Sequence, residues 1–418
     1  MKILYLADNF PPEKNAQASR VYERACYWGK WGHLVSVITC FPNYPEGTIY
    51  PGYKNRLREV SEMDGIRVVR VKTFMAANVG KLLRILDYLS FMISATVMGL
   101  FEPKPDLVAA NSPHLFSAVA ACVLAAIHRV PFVMEVADLW PDSIVAVGAM
   151  KRRFAVRCLE KLELWLYRRA KRVVALTESF KANLISRGVD PTKVDVVING
   201  VDLPRYTPRE RDAALADSFG IRSGDFVVGY VGTIGMAHSL ENVLEAAKLT
   251  NGARIRFLLV GPGAEREKLA AKVADLGLTN VTIAPSQPKD KMPAVWSICD
   301  VALVHLRNTK VFESVLPSKI FEAMAMGLPI LLASPEGEAK RLITSEGCGV
   351  AIRAEDPAEL AAAAISLAND ARTREYLAAK SLRAAPKYTR ERQARSMILS
   401  LEQAISGELA LSAVPTTS

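Results

Sequence analysis

Short runs of four to six apolar residues alternate with longer segments whose apolar positions recur every three or four residues. In the first half, Lys2–Ala7, Val35–Cys40, Ile66–Val71, Leu107–Ala110, Phe132–Val136, Arg172–Leu176 and Val194–Ile198 read as strands. Ser19–Trp31, Leu82–Phe101, Phe116–Ile127, Arg153–Ala170 and Phe180–Arg187 carry the helical period between them. A polar, charged stretch at Pro204–Asp217 interrupts the rhythm, which then restarts. Strands at Phe226–Val231, Arg256–Val260, Val281–Ile283, Val301–Val304 and Pro329–Leu332 alternate with helices at Leu240–Lys248, Ala264–Leu276, Lys291–Ile298 and Ser318–Met326. Two further helices, Pro357–Asn369 and Ala371–Tyr388, follow. Uniformly apolar strands separated by helices predict parallel sheets covered on both faces, here two doubly wound α/β units in tandem. The expected division is 1–203 and 204–385, then a helix over 386–405 that crosses back to the first domain, and a flexible tail over 406–418.

Open parallel sheets bind ligands beyond the carboxyl ends of their strands. That points to loops. Asp8 to Asn15 follows the first strand, and Ser19 is placed to cap the next helix. Asp138, with Trp140 beside it, follows the Phe132–Val136 strand, where a carboxylate is suited to orient or deprotonate a hydroxyl. Gly229-Tyr230-Val231-Gly232-Thr233-Ile234-Gly235 ends the first strand of the second unit, and Gly261-Pro262-Gly263 ends the next. Glycines there let backbone approach a phosphate. The spacing is not GxGxxG, which argues against a nicotinamide site. Pro317-Ser318-Lys319 opens a helix that carries Glu322 one turn on, a start at which Lys319 is able to hold a diphosphate.

Charge adds one feature. The chain of 418 residues carries a formal +10, of which residues 1–202 hold +8. The excess is densest over Lys151–Arg172, a basic segment with interleaved Leu162, Leu164, Trp165 and Tyr167. It reads as a solvated helix face, a membrane-surface patch or, less well supported, a nucleic-acid contact, since no helix-turn-helix or zinc-finger pattern accompanies it. The longest uncharged apolar run, Tyr88–Phe101, is too short to span a bilayer. The six cysteines contain no CxxC pair, and no signal-peptide pattern opens the chain. These features predict a cytoplasmic protein that binds no nucleic acid.

Taken together, these segments resemble glycosyltransferase family 4. The matching elements are Gly32-His33, Asn199-Gly200-Val201-Asp202, Gly232-Thr233-Ile234-Gly235, Pro317-Ser318-Lys319 with Phe321-Glu322-Ala323-Met324-Ala325, and Gly327-Leu328-Pro329. With Asp138-Leu139-Trp140-Pro141, the chain looks most like the bacterial branch that transfers N-acetylated aminosugars in polysaccharide assembly. The resemblance implies a GT-B fold, tandem Rossmann-like domains facing across a cleft. It implies a retaining, metal-independent enzyme whose co-substrate is a UDP-sugar. Its acceptor would be a polyprenyl-diphosphate-linked glycan, met on the cytoplasmic face of the inner membrane through Lys151–Arg172. On the donor side it implies Gly232, Thr233, Gly235, Gly263, Pro317, Ser318, Lys319 and Glu322, the last on the ribose. On the acceptor side it implies Asn15, Arg20 and Trp140, with Asp138 and Lys319 in the chemistry.

Three departures stand out. Asn15-Ala16 occupies the place of a Gly-Gly pair. Thr233 and His238 fall where the family has an Arg and a Lys for the phosphates, leaving that charge to Lys319, with Arg307 as a helper. Either Glu313 or Ser314 stands at the first acid of the E-x7-E motif. A UDP-N-acetylglucosamine 2-epimerase of the same fold and an inactive partner subunit are the competing readings.

Overall fold

The computed structural model describes residues 1–13, 15–44, 46–75, 81–139 and 154–407. The chain forms two compact units. Among the described residues the first holds 1–139, 154–198 and 391–407, the second 199–390. Among the described residues the chain passes between them at 198–199 and at 390–391, where Val201 N–H donates to the Tyr388 carbonyl and Arg390 N–H to the Val201 carbonyl.

The first unit is built on strands β1 (Lys2–Leu6), β2 (Leu34–Cys40), β3 (Arg58–Met63), β4 (Ile66–Val71), β5 (Leu107–Asn111), β6 (Phe132–Val136), β7 (Arg172–Ala175) and β8 (Val194–Val196). Their order is β3-β4-β2-β1-β5-β6-β7-β8, parallel throughout except for the antiparallel edge strand β3. The chain runs outward from β1 to one side, then returns to β5 on the other. The switch point therefore lies between β1 and β5, paired in the register Leu6↔Ala110. Alternation along β1 serves both layers. Ile3 and Tyr5 join one core with Val21, Trp28, Met397 and Leu401, while Leu4 and Leu6 join another with Phe91, Leu124 and Leu166. Trp28 is fully buried and its Nε1 donates to the Ala394 carbonyl at 3.0 Å, so the final helix, Arg390–Ser406, is a working part of the first core.

The second unit contains β9 (Phe226–Val231), β10 (Ile255–Val260), β11 (Val281–Ala284), β12 (Val301–His305), β13 (Ile330–Ser334) and β14 (Gly349–Arg353). They form an all-parallel sheet in the order β11-β10-β9-β12-β13-β14, with its switch point between β9 and β12. Val228, Tyr230, Phe257, Leu259, Leu303 and Leu331 fill one face beneath the helices Glu241–Leu249 and Pro357–Asn369.

Candidate active site

The loop after β9 is the structural centre of the second unit. Gly232 has φ +141°, a backbone disfavoured for other residues, and a Cβ there would sit 2.9 Å from Lys319 Nζ. Gly261 and Gly263, after β10, interlock with it. Their Cβ atoms would come within 2.0 Å of the Gly232 and Ile234 carbonyls. Hydrogen bonds from Gly232 N–H to Val260 and from Ile234 N–H to Pro262, at 2.9 and 2.7 Å, fasten the two loops together. Thr233 lies exposed on this turn and Gly235 half-buried.

Lys319 reaches under that loop. It is 8% exposed, and its Nζ has no hydrogen-bond partner. The ammonium stands 3.4 Å from the centroid of the Tyr230 ring. A cation–π contact offsets only part of the cost of burying a charge. Burial therefore pulls Lys319 from 10.5 down to about 7, against the opposing pull of Glu322. Two imidazoles complete the cluster. His238 stacks edge-on to Tyr230 with ring centroids 5.6 Å apart, and its Nδ1 lies 3.1 Å from the His305 carbonyl. Burial, then the Lys319 charge, hold His238 at about 3. His305 is buried with neither ring nitrogen paired, and burial holds it at about 4. At neutral pH the cluster thus contains one titrating amine and two neutral rings: the His238 N–H is spent on the His305 carbonyl, which leaves its Nε2 an acceptor, while His305 keeps one N–H to donate.

Lys319 begins a helix of seven residues, Lys319–Ala325, and Ser318 makes no side-chain cap to it. What this segment presents is therefore the lysine side chain and the glycine loops, not a capped helix end. Glu322, half-buried, accepts from Trp296 Nε1 at 3.1 Å, and desolvation raises its carboxyl above the usual range. Of the two residues at the first acid position, Glu313 is exposed, and Ser314 is buried with its Oγ donating to the Val311 carbonyl. Arg307 stays half-buried, its N–H donating to Ala237.

The first unit redistributes the acceptor-side residues. Asn15, not Ser19, caps the first helix, Ala16–Lys30: its Oδ1 accepts from Ala18 N–H at 2.8 Å. An asparagine in extended backbone one residue before the helix outcompetes a serine already inside it. Arg20 lies in the core, its Nε 3.0 Å from Glu135 Oε1. Arg24 and the Tyr5 hydroxyl complete that cluster, both at 2.5 Å from Glu135 Oε2. Asp138 is half-buried after β6, its backbone tied to Ser112: Asp138 N–H donates to Ser112 Oγ at 3.4 Å, and that hydroxyl donates to the Asp138 carbonyl at 3.1 Å. Trp140 and Lys151–Arg153 lie outside the described residues. Tyr230 and His305 escaped the sequence reading. The available signal was a histidine closing the apolar run Val301-Ala302-Leu303-Val304. Among the described residues no group of three or more His, Cys, Asp or Glu side chains could hold a metal ion, and no helix is long and apolar enough to cross a membrane.

Comparison with known proteins covers both units. A family model described as glycosyl transferase 4-like domain matches residues 15–200, and one described as glycosyl transferases group 1 matches residues 212–383. The colanic acid biosynthesis glycosyl transferase WcaI of Escherichia coli (strain K12) is 27% identical over 78% of this chain and 82% of its own. A D-inositol 3-phosphate glycosyltransferase of Rhodococcus erythropolis is 30% identical over 56% of this chain and 53% of its own. Among solved structures, HepE of Anabaena in complex with UDP-glucose superposes with a TM-score of 0.72 at 19% identity, over 96% of this chain and 100% of that one. WaaG, a glycosyltransferase involved in lipopolysaccharide biosynthesis, gives 0.69 at 15% identity, over 97% and 100%.

Proposed function

Starting from a chain that belongs to the GT-B glycosyltransferases, with a glycosyl transferase 4-like domain followed by a group 1 domain, we propose that it is a retaining transferase that moves an N-acetylated sugar from a UDP-sugar onto a polyprenyl-diphosphate-linked glycan in cell-surface polysaccharide assembly. The observation that carries the reading is the unpartnered, buried Lys319 amine beneath Gly232 at the switch point of the second sheet.

Cleavage of the sugar–phosphate bond leaves negative charge on the nucleoside diphosphate. An ammonium in a dry site, with no solvent shell to shed, stabilises that charge more in the transition state than in the ground state. Lys319 supplies the charge, the neutral His305 ring adds one N–H donor, and neither neutral imidazole adds repulsion. The glycine loop brings backbone close to the phosphates, and Glu322 accepts from ribose hydroxyls. In the first unit Asp138, fixed through Ser112, orients the acceptor hydroxyl. In a retaining reaction on the leaving-group face, the departing phosphate oxygen takes that hydroxyl's proton. The acceptor's location at the cytoplasmic face of the inner membrane is supported by exposed apolar side chains on the helix Lys81–Gly99 and just beyond it, Ile93, Val97 and Phe101. Phe154 and Trp165 on the helix Phe154–Arg169 are exposed beside the basic Arg157 and Arg168.

The decisive assay is turnover of UDP-N-acetylated sugars with a synthetic polyprenyl-diphosphate monosaccharide. Transfer with the anomeric configuration kept supports the reading. Epimerised sugar without acceptor, or no turnover while UDP still binds, removes it. Flotation with anionic vesicles at low salt tests the membrane component separately.

A further inference from the structure

The first sheet ends on a strand whose outer edge is bare. β3 closes the strand order and pairs only with β4. Asp64 and Gly65 join the two, both at positive φ (51° and 78°), as a two-residue type I′ turn requires. Such a turn makes Met63↔Ile66 a hydrogen-bonded pair, and such pairs alternate along an antiparallel ladder. Ser61 and Glu59 therefore also bond to β4. The same parity continues at Leu57, whose carbonyl accepts from Lys72 N–H at 3.3 Å. Arg58, Val60 and Glu62 are left with N–H and C=O groups turned away from β4, toward no other strand. Sheet edges are commonly blunted by lysine, proline or a bulge. β3 has none of these: it reads Arg-Glu-Val-Ser-Glu-Met, and its register with β4 is unbroken.

The side chains on this edge match a copy of themselves. Val60 is exposed beside a groove lined by Leu34, Pro103 and Pro105. Arg58 gives one nitrogen to Glu102 and keeps donors for a second carboxylate. Glu62 is exposed and forms no ion pair among the described residues. Set antiparallel to itself with Val60 opposite Val60, the strand places Arg58 against Glu62 at both ends, Leu57 against Met63, and Glu59 against Ser61. Two neighbouring registers also pair the outward groups, and both are worse. Centred on Glu59, the strands put two carboxylates face to face. Centred on Ser61, they set Glu62 against a valine and carry Arg58 past the strand's end. A foreign strand would have to bring an acid and a base at this spacing; a second copy brings them by symmetry.

We propose that this edge pairs with a second copy of the chain, two β3 strands joined antiparallel about Val60 into one continuous sheet, which makes the protein a dimer through its first unit. Directly opposed residues share a face, so both copies keep the helix Lys81–Gly99 on the same side of that sheet. The pairing does not rest on the proposed transferase activity. Sugar transfer by a chain that stays monomeric would remove the dimer and leave that activity standing. Sedimentation velocity on the full chain, joined to residue-resolved hydrogen exchange, is the test. The mass of two chains appears with rising concentration, and dilution speeds exchange at the Val60 and Glu62 amides but not at Ser61 and Met63. Val60→Pro removes only an outward N–H, a change that an edge strand tolerates. Glu62→Arg sets two cations against each other. Each raises the dimer's dissociation constant at least tenfold and leaves the affinity for UDP within twofold. If Val60→Pro does not fold, Glu62→Arg decides alone. A monomer at every concentration, a dimer that either folded variant leaves undiminished, or Val60 exchange indifferent to dilution overturns the proposal.

Discussion

Replacing Lys319 by methionine should make the protein more stable and less able to hold UDP, a combination that separates a functional buried charge from a structural one. Methionine keeps the unbranched shape of the lysine stem, one heavy atom shorter, and the substitution removes a buried amine that has no hydrogen-bond partner. Burial drops the amine from 10.5 to about 7. The unfolded chain binds the proton more tightly than the folded one, so the cost of burial is full at and below pH 7 and fades as pH rises toward 10.5. At pH 7 a displacement of this size corresponds to about 4 kcal/mol against folding. The cation–π contact with Tyr230 is lost, and Met packs less well than a designed core residue, so roughly half of that figure should be recovered. A gain of about 2 kcal/mol raises Tm by about 4–8 °C in a unit of this size. Circular dichroism melts at pH 7 measure it. In the same preparation, loss of a charge-assisted bond of about 1.5–3 kcal/mol should weaken UDP binding by roughly 10- to 150-fold, read by calorimetry. A Lys319→Met protein that melts below the wild type and binds UDP unchanged would refute the reasoning.

Three further outcomes follow from the same structure. UDP-glucose affinity should fall by up to about tenfold per pH unit above pH 7, because the free protein's Lys319 is losing the proton that the diphosphate requires; calorimetry in buffers of different ionisation enthalpy should show proton uptake on binding. Glu135→Gln should cost about 3–5 kcal/mol, since it strands Arg20 and Arg24 without their carboxylate. Burial alone would raise the Glu135 carboxyl, but Arg24 and Arg20 hold it at about 2, so this contribution is present above pH 4.5 and is lost as pH falls toward 2, visible in acid-unfolding curves of wild type against variant. Gly261→Ala should lower Tm and UDP affinity together, because its Cβ would meet the Gly232 carbonyl at 2.0 Å; an unchanged melt would show that the loops can part freely.

The apolar runs made the two sheets legible, because buried parallel strands have no polar face to blur them. What the pattern missed had weaker signals. β3 is an edge strand in which Val60, Ser61 and Glu62 are exposed, so no apolar stripe marks it. β14 opens on Gly349, a poor strand former that is present because a Cβ would strike the Ile330 carbonyl at 2.1 Å. The helix Glu338–Glu346 buries only Ala339 and Ile343. At the site, the Pro317-Ser318-Lys319 motif singled out a lysine, but motif spacing carries no information about its burial. Its enclosure by Tyr230, His238 and His305 comes from three separate segments that only the fold brings together. Arg20 shows the converse. A basic residue in the first helix reads as a ligand contact until the sheet presents Glu135 opposite it.

The central claim is that Lys319 awaits a nucleoside diphosphate, and diffraction from crystals of the full chain soaked in UDP addresses it most directly. The account requires phosphate density within hydrogen-bonding distance of Lys319 Nζ, with the ribose at Glu322. Nucleotide bound elsewhere, or a Lys319 amine still resting on the Tyr230 ring with UDP present at saturating concentration, would contradict it.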